Sequence, residues 1–320
     1  MSKIGDKIVF WISNSRPFSL PMTIMSWLVI FLFSIKEGGC ILNGILALVG
    51  ILFAHLATNL VDDFIDYKAL SKNPEFAKIV EKSKFAYLTN GQASVSELKQ
   101  VILVYCAIAT IIGLILFLNC GIEVVFLALV GAAIVLSYPM LSNKGFGEIA
   151  VGIAFGPLLF EGVYFVMTGY FSWIVFFLSI AVVSFTTILL FINNFLDYDR
   201  DIQSGKVSFC TRLGQQKSLD LLYCIALKGY AFMFLTAILT KNPMYLISYL
   251  SIPLVIFLRG NLAKYIENKT AIPNVKWWNL PLGDWNTLVK NGTAPFYFSL
   301  LSARNIAMWF MILTCIAIIV

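Results

Sequence analysis

The chain has 320 residues, of which 59% are hydrophobic and 12% are charged, and its formal net charge is +6. Soluble domains carry about 25% charged residues, so this composition excludes an ordinary soluble domain, and a mean hydropathy of +0.86 indicates a polytopic membrane protein. The positive charge needs no nucleic acid to explain it, because most of the basic residues follow a topological pattern.

Long apolar runs predict about nine transmembrane helices, because roughly 20 apolar residues are needed to cross the hydrocarbon core. The predicted spans are 18–35, 41–61, 100–118, 122–138, 149–168, 171–192, 219–240, 243–258 and 295–320. We therefore expect an all-α membrane protein. No soluble domain is evident between the spans, so residues 1–320 are expected to form a single membrane-embedded domain.

Basic residues are distributed unevenly along the chain, and their distribution predicts the orientation of the helices. Lys and Arg concentrate in cytoplasmic loops. The segments before the first helix and after the second, fourth, sixth and eighth, counted together with Arg304 in the first half of the ninth span, hold 20 of the 23 basic residues. Of the other three, Lys36 and Lys241 fall on the opposite side and Lys228 lies within a span. We therefore expect the amino terminus and the three longest polar loops to be cytoplasmic.

Two acidic patches stand at the ends of the second and sixth predicted helices, in ATNLVDDFIDYKA and FINNFLDYDRDIQSGK. Their i, i+3 and i+7 members are Asn59, Asp62 and Asp66 in the first and Asn194, Asp197 and Asp201 in the second. At about 100° per residue, each trio falls within a wedge of roughly 60° on its helix. Asp63 widens the first wedge to about 100°, whereas Asp199 points away from the second. Because the two helices run in the same direction, we expect both patches at the same face of the membrane.

Carboxylates near the hydrocarbon core are costly, by about 2.5–3.5 kcal/mol each at a helix centre, unless they are paired, hydrated or bound to metal. Such oxygen ligands suit Mg²⁺, which commonly bridges one or two carboxylates to the phosphates of a substrate. Two facing acidic helix ends with Mg²⁺ between them would hold a diphosphate. The alternative is that each patch is a solvated helix end, and the repeated spacing favours the metal interpretation.

The acidic motifs resemble those of the UbiA superfamily of intramembrane prenyltransferases, and within it the branch that prenylates 1,4-dihydroxy-2-naphthoate for menaquinone. HLATNLVDDFIDYK looks like the first motif of that branch, NLxNDYxDY, with Asp62 where Asn is usual. NNFLDYDRDIQSGKVSFCTRLG is similar to the second motif, NNxRDxxxDxxxGKxTLxxRLG. Three further stretches, RPFSLP, TNGQASVSELK and YPMLSNKGFGEIAVGIAFGPLLFEGVYFVMTG, look like family segments in the right order, so the resemblance covers about residues 11–214.

The resemblance implies a helical bundle around a central cavity that opens toward the cytoplasmic leaflet of a bacterial-type cytoplasmic membrane. It implies that two Mg²⁺ ions grip a polyprenyl diphosphate, with Asp62, Asp63, Asp66, Asp197 and Asp201 as metal ligands. The residues expected to bind substrate are Arg16, Asn59, Lys68, Lys84, Asn193, Asn194, Lys206 and Arg212. The basic residues among them have an alternative role as positive-inside or headgroup anchors. The implied reaction transfers the polyprenyl group to an aromatic acceptor, with 1,4-dihydroxy-2-naphthoate as the leading candidate.

Two residues are candidates for catalytic roles in such a reaction. An allylic carbocation needs a dry pocket lined by aromatic rings, and Tyr138 at the end of the fourth predicted helix is the candidate ring. Its alternative role is an interfacial aromatic anchor. His55 lies on the same helical face as Asn59 and Asp62, where it could orient the acceptor or a carboxylate. Its alternative role is that of a hydrogen-bonded residue in helix packing.

Some stretches depart from the family pattern and leave the acceptor open. Lys84 stands where a basic segment with Arg is usual, the later Asp of many members is absent near 70–71, and 259–294 matches no family motif. A hydroxybenzoate, haem, chlorophyllide or sugar phosphate acceptor would use the same metal ligands. A cation transporter is a further alternative, although its carboxylates would be expected near the middle of the membrane.

Overall fold

The computed structural model of the chain describes residues 3–70 and 84–320, and the regular elements in these two ranges are helical. The α-helices are α1 (Lys3–Asn14), α2 (Leu20–Lys36), α3 (Ile41–Leu70), α4 (Ala86–Thr89), α5 (Val95–Cys120), α6 (Glu123–Asn143), α7 (Gly147–Ile153), α8 (Leu159–Thr168), α9 (Trp173–Leu196), α10 (Tyr198–Ser204), α11 (Phe209–Leu213), α12 (Gln215–Leu239), α13 (Ile252–Glu267), α14 (Trp285–Lys290) and α15 (Ala294–Ile319). Three 3₁₀ segments, Pro17–Ser19, Pro243–Ser251 and Trp277–Asn279, and a π segment, Ala154–Leu158, complete the described elements.

Eight helical segments in the described ranges are long and apolar enough to cross a membrane. They are Pro17–Lys36, Ile41–Lys68, Val95–Cys120, Gly147–Thr168, Trp173–Leu196, Gln215–Leu239, Pro243–Glu267 and Ala294–Ile319. The remaining predicted span, 122–138, is present as a shorter apolar helix, Glu123–Tyr138. The predicted all-α membrane architecture is therefore confirmed, with eight long spans where the hydropathy pattern indicated about nine.

The helices that lead into both acidic patches extend beyond their predicted spans. The second predicted helix was expected to end at residue 61, yet α3 continues to Leu70, and α9 continues to Leu196. The predicted ends fall short because an apolar run shows only where contact with lipid ends. The helix itself continues as long as its backbone i→i−4 hydrogen bonds are made. The acidic side chains of the first patch therefore lie on a continuous helix.

The chain divides into two compact units, of which the first comprises Met1–Ile24 and Cys40–Pro139. In its described part, α3 packs along α5, with Leu60 and Leu98 fully buried in one hydrophobic cluster. A capping box starts α5, because the Ser94 hydroxyl accepts from the Glu97 backbone N–H at 3.1 Å while the Glu97 carboxylate accepts from the Ser94 N–H at 3.0 Å. The short helix α4 places Tyr87 in the same cluster, near the end of α3.

The second unit comprises Met25–Gly39 and Met140–Val320 and is organised around α9, which packs against α12 and α15. Phe185 of α9 stacks on Phe310 of α15 with 3.8 Å between the ring centroids. The span formed by α7 and α8 bends at the π segment, which contains Pro157 and where Gly156 has non-helical angles. A Cβ atom at Gly156 would lie 2.8 Å from Val183 Cγ1, so this approach to α9 requires glycine.

Candidate active site

The first acidic cluster consists of Asp62, Asp63 and Asp66 at the end of α3, together with Arg16 and Lys84. The Lys84 ammonium contacts Asp62 and lies 2.8 Å from Asp66 Oδ2. One cation thus reaches both carboxylates, as expected for residues on one helical face. Burial lowers the pKa of Lys84, but the carboxylates of Asp62 and Asp66 raise it by a larger amount. The pKa of Lys84 therefore lies above its ordinary value, and the group stays protonated.

Asp63 is the buried member of this cluster, with a side chain that is 0% exposed. Arg16 Nη2 lies 3.1 Å from its Oδ1, and the Tyr87 hydroxyl donates to its Oδ2 at 3.1 Å. Burial raises the pKa of Tyr87 and the neighbouring carboxylate raises it further, so the phenol remains a donor. Sequence reasoning missed Tyr87, because an aromatic residue 21 positions beyond Asp66 carries no signal of this contact.

Arg16 is held in place by its backbone as well as by its ion pairs. Its φ of 60° and ψ of 55° lie in the left-handed region, which a side chain with a Cβ rarely adopts and which often marks functional sites. Its Nη2 donates to the Asn59 carbonyl at 2.5 Å and lies 3.3 Å from Asp62 Oδ2. The Asn59 amide in turn donates to the Ser15 carbonyl at 2.9 Å, which fastens the Arg16 turn to α3. Asn59 thus holds Arg16 in place through two contacts, one at its own backbone carbonyl and one from its side-chain amide to the Ser15 carbonyl.

His55 has partners at both ring nitrogens. Ser19 Oγ lies 3.0 Å from its Nε2, and Thr23 Oγ1 lies 2.7 Å from its Nδ1. These contacts join α3 to the start of α2 within the first unit, which is the arrangement that the helix-packing alternative describes. Of the other predicted residues in this unit, Lys68 is exposed two positions beyond Asp66, and Tyr138 is half-buried near the end of α6.

The second acidic cluster consists of Asp197 and Asp201 with Arg200 and Lys206. Asp197 ends α9, and the Asp201 N–H donates to the Asp197 carbonyl at 2.9 Å, so the helical turn continues into α10. Arg200 Nη2 lies 2.6 Å from Asp197 Oδ2, and Lys206 Nζ lies 2.9 Å from Asp201 Oδ2. Burial raises the pKa of Asp197 above its ordinary value. This cluster therefore repeats the carboxylate and ammonium combination of the first.

A buried carboxylate that sequence reasoning did not single out joins the second cluster. Glu148, in the first turn of α7, is 5% exposed, and its Oε1 accepts from Asn194 Nδ2 at 2.8 Å. The other end of the Asn194 amide, Oδ1, accepts from Lys206 Nζ at 3.1 Å. The signal that could have found Glu148 is an acidic residue at the start of an apolar span, which is uncommon in membrane helices.

The remaining predicted residues of the second unit lie at the margin of this cluster. Arg212 Nη2 donates to the Lys144 carbonyl at 2.5 Å, and its guanidinium lies over the Phe146 ring, so it anchors the turn before α7. Asn193 is half-buried, and its carbonyl accepts from the Asp197 N–H at 3.0 Å. Asp199 is 60% exposed and pairs with Lys269, whereas Asp197 and Asp201 pair with Arg200 and Lys206.

The donor atoms of both clusters fit Mg²⁺ in kind. Within residues 3–70 and 84–320, no group of three or more His, Cys, Asp or Glu side chains converges as a complete metal cage. Mg²⁺ does not require such a cage, because it keeps several waters and binds through one or two carboxylates together with substrate phosphates. Asp62 and Asp66 are 27% and 44% exposed, so their oxygens are accessible to a hydrated ion.

Comparison with known proteins supplies the context for these clusters. The sequence model of the UbiA prenyltransferase family matches residues 8–280. The chain is 26% identical over 242 residues to UbiA prenyltransferase domain-containing protein 1 of Dictyostelium discoideum, covering 72% of this chain and 71% of that protein. It is 28% identical over 158 residues to 2-carboxy-1,4-naphthoquinone phytyltransferase of Synechocystis sp., covering 47% of this chain and 52% of that protein.

The fold is also similar to that of a solved protein. This is a UbiA homolog from Archaeoglobus fulgidus bound to DMAPP and Mg²⁺, with a TM-score of 0.58 at 14% identity and coverage of 97% of this chain and 99% of that one.

Proposed function

The chain belongs to the UbiA prenyltransferase family, and on that basis we propose that it transfers a polyprenyl group from a polyprenyl diphosphate to 1,4-dihydroxy-2-naphthoate in a Mg²⁺-dependent reaction. It is an integral, multi-pass membrane enzyme. The proposal takes residues 1–320 as one prenyltransferase domain. It places the acidic loops at the cytoplasmic face because of the Lys and Arg distribution, to which Lys72, Lys78 and Lys82, outside the described residues, also contribute.

The observation that carries this proposal is that each acidic cluster combines carboxylates with an ammonium group. Lys84 contacts Asp62 and Asp66, and Lys206 contacts Asp201. Carboxylate oxygens are the ligands that Mg²⁺ prefers, and ammonium groups bind phosphate oxygens. A cluster that offers both suits the Mg²⁺ complex of a diphosphate better than it suits a bare cation, which favours a transferase over a cation transporter.

We propose Asp62 and Asp66 in the first cluster, and Asp197 and Asp201 in the second, as the residues that hold Mg²⁺. Asp63 remains a predicted ligand, but its burial and its contacts with Arg16 and Tyr87 support a role in holding Arg16 in place. Bound Mg²⁺ would neutralise charge on the diphosphate and so ease heterolysis of the allylic C–O bond.

The basic residues of the clusters bind the diphosphate in this proposal. A lysine ammonium has three N–H donors, and among the described residues Lys84 and Lys206 each have two acceptors. The third donor of each is assigned to a diphosphate oxygen, where it stabilises the negative charge that grows as the C–O bond breaks. The leaving oxygen takes the bonding electron pair, and an allylic cation remains.

The acceptor then provides the electrons for the new bond. The ring carbon that bears the carboxylate bonds to the allylic cation, and loss of the carboxylate as CO₂ returns an electron pair to the ring. Water must be excluded while the cation exists, and Tyr138 stays our candidate for an aromatic ring near it. The choice of a carboxylated naphthalene is supported by the motif resemblance and by the name of the Synechocystis relative, which includes a 2-carboxy-1,4-naphthoquinone.

An assay of membranes with radiolabelled geranylgeranyl diphosphate, Mg²⁺ and a panel of aromatic acids tests the proposal. We expect a labelled product with 1,4-dihydroxy-2-naphthoate, its loss in EDTA, and its recovery when Mg²⁺ is restored. Asp197→Ala is expected to reduce the rate by about 100-fold or more, and Asp66→Ala likewise. Asp199→Ala is the matched control and should stay active, because Asp199 is exposed and pairs with Lys269.

Different failures of this assay overturn different parts of the proposal. If Asp199→Ala is as inactive as Asp197→Ala, the assignment of the second cluster is wrong. If 4-hydroxybenzoate is prenylated and the naphthoate is not, the acceptor is wrong although the transfer of a prenyl group stands. If product formation persists in EDTA, the dependence on Mg²⁺ is wrong.

A further inference from the structure

A chain of buried polar contacts runs from α7 through α9 to the loop after α10. Glu148 Oε1 accepts from Asn194 Nδ2 at 2.8 Å, Asn194 Oδ1 accepts from Lys206 Nζ at 3.1 Å, and the same ammonium lies 2.9 Å from Asp201 Oδ2. Glu148, Asn194 and Asp201 are each at most 6% exposed. Groups buried this deeply must be hydrogen-bonded, so the order of donors and acceptors along the chain is constrained.

We propose that Glu148 is a positioning residue for the diphosphate site, acting through the orientation of the Asn194 amide. This inference rests on the proposed function, because it concerns how Lys206 and Asp201 are presented to the Mg²⁺–diphosphate. Among the described hydrogen bonds, Glu148 has none to Lys206 or Asp201. It is connected to Lys206 through Asn194, which bonds to both residues.

The two ends of the Asn194 side-chain amide differ in the hydrogen bonds that they can make. The Asn194 Nδ2 can only donate and its Oδ1 can only accept. A carboxylate accepts and does not donate, so Glu148 can pair only with Nδ2, and this directs Oδ1 toward the Lys206 ammonium. Without an acceptor at position 148, the Asn194 Nδ2 loses its partner, and the bond from Lys206 to Oδ1 alone holds the amide in this orientation. A rotated amide would present its N–H donors to an ammonium that also only donates.

The position of Lys206 would change as a result. Lys206 has two protein acceptors, Asn194 Oδ1 and Asp201 Oδ2, and its side chain is 37% exposed. With both acceptors in place, the direction of the third N–H is determined by tetrahedral geometry. With Asn194 rotated, the ammonium keeps one partner, and both the third N–H and the Asp201 carboxylate lose their fixed arrangement. Weaker binding of the Mg²⁺–diphosphate is the expected consequence.

The test measures binding as well as turnover in the purified full-length protein. Isothermal titration with geranyl S-thiolodiphosphate, an unreactive donor analogue, in Mg²⁺ buffer gives the affinity, and steady-state kinetics gives KM for the donor and kcat. Glu148→Ala and the bulkier Glu148→Leu lack an acceptor and are expected to lose about 10-fold to 100-fold in affinity. Glu148→Gln, whose Oε1 can still accept from Asn194, is expected to remain within about threefold of the unmodified protein.

Two further variants separate positioning from a merely structural role. Asn194→Ala should weaken binding about as much as Glu148→Ala, and the double variant should be no weaker than either, because both act through one contact. Glu161→Ala is the matched control, since this second glutamate of the same bent span accepts from the Ser172 N–H at 3.2 Å and makes no hydrogen bond to Asn194 among the described residues. Its analogue affinity and donor KM should not change.

The outcomes distinguish this inference from the proposed function. If the unmodified protein neither binds the analogue nor turns over the donor, the proposed function is wrong and the inference falls with it. If the unmodified protein does both, and the folded Glu148→Leu variant matches it, only the inference is refuted. It is refuted as well if Glu148→Gln is as defective as Glu148→Leu, because charge would then matter more than the direction of the amide.

Discussion

Replacing Tyr87 by Phe removes one hydroxyl and leaves a buried ring in place. The ring makes edge contacts with Trp11 at 5.7 Å and Phe10 at 6.1 Å between centroids, and these survive the change. The hydroxyl donates at 3.1 Å to Asp63 Oδ2, and the Asp63 side chain is fully buried. The variant therefore deletes one donor from a buried carboxylate that retains only Arg16 as a described partner.

The magnitude follows from the type of bond that is lost. A hydrogen bond to a charged group contributes about 1.5–3 kcal/mol to stability, and an unsatisfied buried acceptor adds its own desolvation cost. At roughly 2 °C per kcal/mol for a chain of this size, the midpoint of thermal unfolding should fall by about 3–6 °C. The phenol stays protonated because its pKa is raised by burial and by Asp63, so it remains a donor under the conditions of the assay.

The assay is thermal unfolding in detergent, followed by the loss of the monodisperse peak in size-exclusion chromatography. Tyr67→Phe is the matched control, because the Tyr67 ring packs on Phe85 at 6.2 Å and its hydroxyl has no hydrogen bond among the described residues. If the two variants melt within 1 °C of each other, the hydroxyl does not stabilise Asp63 and the description of the first cluster is wrong.

Three further predictions concern the second unit. Gly156→Ala should lower stability by about 1–3 kcal/mol in denaturant unfolding, since its Cβ would lie 2.8 Å from Val183, whereas Gly152→Ala meets its nearest atom at 3.8 Å and should be neutral. Asn305→Leu should speed tryptic cleavage of the segment before α14 severalfold, because the Asn305 amide donates to two carbonyls of that segment at 2.6 and 3.0 Å; an unchanged rate would show that these bonds do not hold it. Burial raises the pKa of Cys210 to about 12, so its thiolate fraction at pH 8 is about one in ten thousand and maleimide should label it only after unfolding, as read by mass spectrometry.

The membrane class and most of the helices could be predicted from the sequence, because apolar runs of about 20 residues have few alternatives to a membrane-spanning helix. Seven of the predicted spans correspond to long helical segments whose ends lie within seven residues of the predicted ends, while 243–258 corresponds to the first part of Pro243–Glu267, which begins as a 3₁₀ segment. The shared face of Asp62 and Asp66 was also predictable, since i and i+4 positions meet on any helix. The single ammonium that contacts both agrees with this.

The partners of the candidate site were less predictable. The sequence suggested that Arg16 and Lys84 bind substrate, and the structure places both against the carboxylates of the first cluster. It suggested a catalytic or a packing role for His55, and the structure gives both ring nitrogens hydroxyl partners on the neighbouring segment. Such contacts join residues that are tens of positions apart, and local spacing contains no information about which of many possible neighbours a side chain meets.

Composition, helical periodicity and the Lys and Arg distribution were enough to indicate a multi-pass membrane protein with two repeated acidic helix ends. These features depend on the lipid environment and on the residues within each single helix. They require no contact between helices, so the order of residues determines them. The burial of Asp63 against Tyr87, and of Glu148 against Asn194, was decided only when separate helices packed together. A hydrogen bond between helices requires particular distances and directions in space, and these arise from the packing of the whole unit.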